Sequence, residues 1–145
     1  MSTSFQRLQI LAVALTCAAC APLPPSPADL QAKKFEPLPD RGVIYIVRAE
    51  AGFNRDGATL LLDDTVMITT YPGTYYRWEV APGSHRIAGY ASDPGNIAVN
   101  VEQGKITFVQ QWVSFGMLGP RSRFSQVPSN QGRAVVMQSE LIGGK

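Results

Sequence analysis

The clearest indication of the fold is residues 74 to 83, Thr74-Tyr75-Tyr76-Arg77-Trp78-Glu79-Val80-Ala81-Pro82-Gly83. Side chains alternate between the two faces of a strand, so Tyr76, Trp78 and Val80 share one face, and Tyr75, Arg77 and Glu79 share the other. Proline presets φ and glycine tolerates a positive φ, so Pro82-Gly83 predicts a turn. The stretch therefore predicts a strand with one core-facing side, followed directly by a second strand.

Short segments of the same kind continue on both sides of this stretch. The β-branched and aromatic run at 43–48 predicts a strand buried on both faces. Turn residues separate the further strands expected at 59–62, 66–70, 85–91, 97–101 and 105–113. Seven short strands with turns about every 8 to 12 residues predict an all-β fold, a seven- to eight-stranded antiparallel β-sandwich or a small barrel.

The C-terminal third has a weaker pattern. Residues 114–128 contain two glycines and two prolines, which predict a long loop. Ser129 is placed to cap a short helix through about Ile142, with Val136, Met137 and Leu141 toward the sheet. Residues 135–137 would serve equally as an eighth strand, and we favour the helix. The folded domain is expected to span 42–145.

The N-terminal segment has the layout of an export signal. Arg7 precedes an apolar run over residues 8–19, which is followed by a cysteine. A run of about twelve residues is well short of the ~20 that span a bilayer as a helix. The sequence predicts a signal peptide over 1–19, and the alternatives are an ordinary secretory signal cut near Ala19 or an uncleaved buried helix.

The residues Cys17-Ala18-Ala19-Cys20 resemble the lipobox of bacterial lipoproteins. The resemblance implies that Cys20 becomes the first residue of the mature chain and carries acyl chains such as palmitate, which attach it to a membrane. Cys17 departs from the pattern, because lipoproteins usually have Leu, Val or Ile there. Ala21 stands where an Asp would favour the inner membrane, so the resemblance implies the periplasmic side of the outer membrane.

Residues 20–41 are rich in proline. Proline lacks an amide donor and fixes φ, so we expect neither a helix nor a central strand here. The segment is predicted to be a semi-extended linker between the lipid and the domain. A proline-rich ligand for another protein is the alternative.

A family resemblance accompanies the turn chemistry. Residues 73–87, with their Pro-Gly-x-His hairpin, and the Gly104-Lys105-Ile106-Thr107-Phe108 strand start look like a family of small bacterial lipoprotein β-domains of unknown function. The resemblance covers about 42–141, departs at 112–123, and implies a transthyretin-like or carboxypeptidase-regulatory-like sandwich similar to PEGA-type modules. It implies no catalytic residues.

Composition and motifs argue against several chemistries. The chain has 13 basic and 11 acidic residues, a balance that does not favour nucleic-acid binding. His85 is the single histidine, too few for a zinc site. Asp56, Asp63 and Asp64 lack the spacing of a calcium loop and favour a turn, and Glu79 and Glu102 are isolated. No metal, cofactor or catalytic site is predicted, and the protein is not expected to be an enzyme.

The remaining candidate function is binding. The possible binding surface comprises two arginines and three aromatic residues, although burial in the core is the alternative for the aromatics. We expect a non-catalytic module that binds an envelope protein, with a sheet edge as one route; a glycan- or lipid-headgroup-binding module is the alternative. The candidate residues are Tyr75, Trp78, Trp112, Arg121 and Arg123.

Overall fold

The computed structural model describes residues 24–49 and 55–143, and the predicted signal peptide and Cys20 lie outside these residues. Within them the chain forms two helices, α1 (Pro27–Ala32) and α2 (Ser129–Met137), and nine strands. The strands are β1 (Gly42–Arg48), β2 (Ala58–Leu62), β3 (Val66–Thr70), β4 (Thr74–Val80), β5 (Gly83–Gly89), β6 (Asn96–Val101), β7 (Ile106–Gly116), β8 (Gly119–Val127) and β9 (Glu140–Leu141).

The strands form two sheets, which confirms the predicted β-sandwich. The first sheet has the order β8-β7-β1-β4-β9, and the second has the order β3-β2-β5-β6. The expectation of a wholly antiparallel fold is wrong, because β1 pairs with β7 in parallel, as β4 does with β9. Among the described strands, the chain crosses between the sheets at four connections: β1–β2, β3–β4, β4–β5 and β6–β7.

Strand β1 contributes to two apolar layers. Ile44 and Ile46 face the second sheet and pack with residues such as Leu60 and Val99. Tyr45 and its neighbours on the opposite face pack against the helices instead. This confirms the prediction that 43–48 is buried on both faces. The predicted core face of β4 is also confirmed, because Trp78 and Val80 lie in the layer between the sheets.

The segment before β1 is not the spacer that its prolines predict. Ser26 caps α1 by accepting a hydrogen bond from the Asp29 N–H at 3.1 Å, and Pro27 lies in the first turn, where its missing N–H costs nothing. Ala32 and Phe35 are buried against the outer face of the first sheet. The expected linker over 20–41 is therefore wrong for residues 27–38, which belong to the folded unit.

Helix α2 confirms the predicted C-terminal helix, which excludes the alternative strand over 135–137. The helix is shorter than expected and ends at Met137, which is exposed, while Leu141 lies in β9. Val136 packs on the sheet as predicted. Gly132 lies so close to Phe108 that an added Cβ would be 2.2 Å from its ring, so a glycine is required for this helix to approach the strand.

Candidate binding surface on the β7–β8 hairpin

The predicted loop over 114–128 is a β-hairpin. Strand β7 continues to Gly116 and pairs with β8, with Trp112 opposite Arg123 and Ser114 opposite Arg121. Pro120 is tolerated because β8 is the edge strand of its sheet. Since β1 ends at Arg48, opposite Gln111, the rest of the hairpin extends past the neighbouring strand.

The part of the hairpin beyond β1 exposes apolar and cationic side chains together. Trp112 is 42% exposed, and Met117 and Leu118 at the tip are almost entirely in solvent. A shallow groove of about 420 Å³ runs between Trp112 and the two arginines. We call the exposed side chains of this segment the hairpin surface; they are Trp112, Ser114, Met117, Leu118, Arg121 and Arg123.

The hairpin surface has a cationic character that the overall charge conceals. The sequence has no Asp or Glu between Gln103 and Ser139. In the part of the chain that the structure describes, the guanidinium groups of Arg121 and Arg123 form no ion pair and no hydrogen bond. Both cations are therefore available to an anion from outside the domain.

The loop at 91–95 holds the hairpin in place. The Ser92 hydroxyl donates to the Leu118 carbonyl at 2.8 Å, and the buried Asp93 carboxylate accepts from the Ser122 N–H, also at 2.8 Å. The Ser122 N–H of this edge strand is therefore already bonded and is not available to pair with a further strand. The sheet-edge route to a partner stays a prediction.

A buried polar network fixes the base of the hairpin between the sheets. Thr70 donates to the Gln111 side-chain oxygen at 2.7 Å, and the Gln111 amide donates to the Ser122 hydroxyl at 2.8 Å. Each of these three residues is buried, and buried polar groups are costly unless they are bonded. The network therefore fixes β7 and β8 relative to the second sheet.

Two of the five candidate binding residues are not at the surface. Tyr75 is fully buried, and Trp78 is only 9% exposed. Both belong to β4, which lies between β1 and β9 with the second sheet on one face and the helices on the other. Their proposed role in binding is therefore wrong, whereas Trp112, Arg121 and Arg123 lie together on the hairpin surface.

Tyr75 has a structural role instead. Its hydroxyl donates to Asp29 of α1 at 2.8 Å, and the same carboxylate accepts from the Leu141 N–H and pairs with Lys33. Burial and then the nearby Asp29 carboxylate raise the pKa of Tyr75, so the phenol keeps its proton and remains a donor. Asp29 thus joins α1, β4 and β9.

His85 lies at the other end of the sandwich and is engaged on both sides. Its Nδ1 is 2.7 Å from an Asp63 oxygen, and its Nε2 is 2.7 Å from the Ala81 carbonyl oxygen. Burial alone would raise the pKa of Asp63, but hydrogen bonds from His85 and from the Arg86 N–H stabilise the carboxylate and lower it. His85 and Asp63 therefore stabilise the turn between β2 and β3.

The acidic residues considered for calcium are engaged in the same way. Asp63 and Asp64 have positive φ and form the β2–β3 turn, and Asp64 pairs with Arg86. Over residues 24–49 and 55–143, no three His, Cys, Asp or Glu side chains lie close enough together to hold a metal ion. In this part of the chain there is also no helix with the length and apolar character to cross a membrane.

A second groove, of about 460 Å³, lies between the α1 segment and the ends of β4 and β9. Its polar side chains are already paired: Arg77 with Glu79, and Gln31 with Glu36. Glu79 is thus occupied by an arginine, and Glu102 follows a strand of the other sheet. This groove offers a ligand less than the hairpin surface does.

Met117 and Leu118 were not among the binding residues predicted from the sequence. The glycines around them and Pro120 indicated a loop, which concealed the alternation of Trp112 and Ser114 with Val113 and Phe115. That period of two was a usable signal for a strand extending to Gly116.

Similarity to known proteins does not indicate a function for this chain. No protein-family model matches the chain. The chain is similar to an uncharacterised protein of Haemophilus influenzae, with 26% identity over 142 residues that cover 94% of this chain and 84% of the relative.

Proposed function

We propose that this protein is a non-catalytic, lipid-anchored module of the bacterial cell envelope that binds through the hairpin surface. Its anchor is the lipid on Cys20, exposed as the first residue once 1–19 are removed, and its place is the periplasmic side of the outer membrane. The support is the signal-like segment that ends in Cys17-Ala18-Ala19-Cys20. Its resemblance to a family of lipoprotein β-domains belongs to the same proposal.

The observation that carries the binding role is the hairpin surface itself. Met117, Leu118 and Trp112 are apolar and exposed on a segment that the loop at 91–95 holds in place. Large apolar side chains kept together on a well-supported element mark an interaction site. The non-catalytic part of the proposal is supported by His85, whose two ring nitrogens both face oxygen atoms of the turn.

Site-specific crosslinking in cells tests the binding role with an envelope protein as the partner. A photoreactive residue at Ser114 samples the hairpin surface, and one at Asn100, an exposed position of β6, is the matched control. A protein partner on this surface predicts one dominant crosslinked protein from position 114, absent from position 100 and lost in Cys20→Ala. The same product from both positions, or none from position 114, would contradict a protein partner on this surface.

A glycan or a lipid headgroup is the second candidate ligand, favoured by one observation. Arg121 and Arg123 lie beside Trp112, neither guanidinium forms an ion pair with the described residues, and guanidinium groups suit phosphate. Titration with cell-wall glycan fragments and with phosphatidylglycerol headgroup should change the tryptophan fluorescence of the wild type. Trp112→Phe is the control, since its remaining tryptophan, Trp78, is buried; an equal response in both proteins would exclude this surface.

A further inference from the structure

We infer that the ligand of the hairpin surface is the phospholipid bilayer that holds the protein's own anchor, so that the tip of the hairpin is a second point of membrane contact. This inference rests on the proposed lipid attachment at Cys20. It commits the hairpin surface to lipid phosphate and acyl chains. Two points of attachment, the lipid and the hairpin tip, would fix the orientation of the domain relative to the membrane.

The chemistry of the hairpin surface is graded along its length. Met117 and Leu118 occupy the tip, and Trp112, Arg121 and Arg123 follow at the next level down the two strands. Apolar side chains enter the acyl region, whereas tryptophan and arginine prefer the headgroup region, where rings and phosphates meet. The order of side chains from the tip downward therefore matches the order of layers in a bilayer leaflet.

The charge of this segment suits an anionic leaflet. Two arginines lie on the hairpin surface, and no Asp or Glu occurs between Gln103 and Ser139. The Asp93 carboxylate packs on β8 and is buried; its Oδ1 accepts from the Gly95 and Ser122 N–H groups, and its Oδ2 has no hydrogen-bond partner among the described residues. Basic side chains near a membrane surface gain free energy from anionic lipids, and here no exposed carboxylate of the segment opposes that attraction.

The course of α1 brings the chain toward the same face of the first sheet. Asp29 contacts Tyr75 and Leu141 near the end of the sheet from which the hairpin extends, whereas Pro39 accepts a bond from Gln103 at the opposite end. Trp112 shares with Phe108 the sheet face that the helices cover. Asp29, near the start of α1, therefore lies at the end of the sheet from which the hairpin extends.

The length of chain before α1 fits this arrangement. Five residues lie between Cys20 and the capping Ser26, and the six residue-to-residue steps of a fully extended chain reach about 20 Å. Residues 112–116 extend β7 beyond the end of β1, and five residues of strand rise about 17 Å. A lipid on Cys20 can therefore lie at the level of the tip, and such tethering keeps the tip at a high local concentration near the bilayer.

Depth-dependent quenching of Trp112 tests the inference on the full-length lipidated protein. The protein is reconstituted in vesicles of phosphatidylethanolamine and phosphatidylglycerol, with bromine on the acyl chains as the quencher. Subtracting the signal of Trp112→Phe isolates Trp112 from Trp78. We expect brominated lipid to quench Trp112, and the double variant Met117→Ser/Leu118→Ser to lose that quenching. Met137→Ser, which alters an exposed methionine of α2, should keep it.

The arginines test the role of lipid charge. Arg121→Gln should lower the ratio of inserted to free hairpin about fivefold on vesicles with phosphatidylglycerol. The same substitution should have little effect on vesicles of phosphatidylcholine alone. An equal effect on both vesicles would remove the electrostatic part of the inference.

The two proposals fail in different ways. Mass spectrometry of the N-terminal peptide reports acylation of Cys20, and an unmodified peptide would overturn the proposed anchor. An acylated protein whose Trp112 is not quenched, or is quenched equally in the tip variant, would overturn membrane contact by the hairpin. A protein crosslinked at Ser114 together with unquenched Trp112 would assign the hairpin surface to a protein partner and would likewise overturn it.

Discussion

Two aromatic residues on the same face of β7 differ in burial. Phe108 is fully buried, with ring contacts to Phe35 and Tyr45, whereas Trp112, four residues further along, is 42% exposed beside Arg123. Both side chains point toward the side of the sheet that the helices cover. The difference arises because α1 and α2 cover only part of this face. The helices, and not the strand itself, decide which aromatic belongs to the core.

The largest expected effect tests this contrast directly. Phe108→Ala removes a buried ring between the sheet and α2, and we expect a loss of about 3–5 kcal/mol in the free energy of unfolding. Trp112→Ala should cost clearly less, because 42% of Trp112 stays in solvent and only part of its apolar area is buried on folding. Urea unfolding of both variants gives the comparison. A similar loss in the two would mean that Trp112 is packed in solution and that the hairpin surface is not free.

A smaller effect is expected at the carboxylate that holds α1 on the sheet. Asp29→Ala leaves the Tyr75 hydroxyl and the Leu141 N–H without their acceptor, at a cost of about 1–3 kcal/mol. It should also make residues 24–41 more accessible to proteases. Asp40→Ala, at an exposed position, is the control and should change neither property. Unchanged proteolysis in Asp29→Ala would mean that this carboxylate does not hold the segment.

The smallest effect concerns the end of the sandwich opposite the hairpin. Because the pKa of Asp63 in the folded protein lies below its ordinary value of 3.8, its ionised form stabilises the fold above that pH. That stabilisation is lost as the pH falls through the lowered pKa. We expect Asp63→Asn to weaken the decline in stability below pH 3.8. Unfolding measured between neutral and acidic pH checks this.

The control for Asp63 is its neighbour. Asp64→Asn leaves the contact between Asp63 and His85 in place and should keep the wild-type decline with acid. Asparagine also tolerates the positive φ of these turn positions, so neither substitution should strain the backbone. The same acid dependence in Asp63→Asn and the wild type would contradict a stabilising role for this carboxylate.

Local chemistry made much of the fold predictable. The alternation around Trp78, the Pro82-Gly83 turn and the β-branched run of β1 each specify their own structure, because side-chain direction and backbone φ are set within a few residues. The prediction failed at α1 and at the β7–β8 hairpin. At both places proline and glycine were weighed as breakers, although proline is accepted in the first turn of a helix and in an edge strand.

The candidate site was predictable only in part, since it depends on distance through space. Trp112, Arg121 and Arg123 were identified as residue types suited to binding, and the pairing of β7 with β8 placed them side by side. Tyr75 and Trp78 have equally suitable side chains, yet β4 is covered on both faces. Whether a strand residue is exposed depends on which other elements pack on that strand. The sequence of the strand alone does not show this.

The local sequence pattern is enough to predict an all-β sandwich with a C-terminal helix, because the period-two alternation and the turns are set within a few residues. Long-range packing specifies that the proline-rich segment docks on the first sheet, that β1 and β7 run parallel, and that Trp112 stays exposed while Phe108 is buried. These three outcomes depend on contacts between residues far apart in the chain. Such contacts are driven by the burial of apolar area, and which area is buried depends on which distant segments pack together.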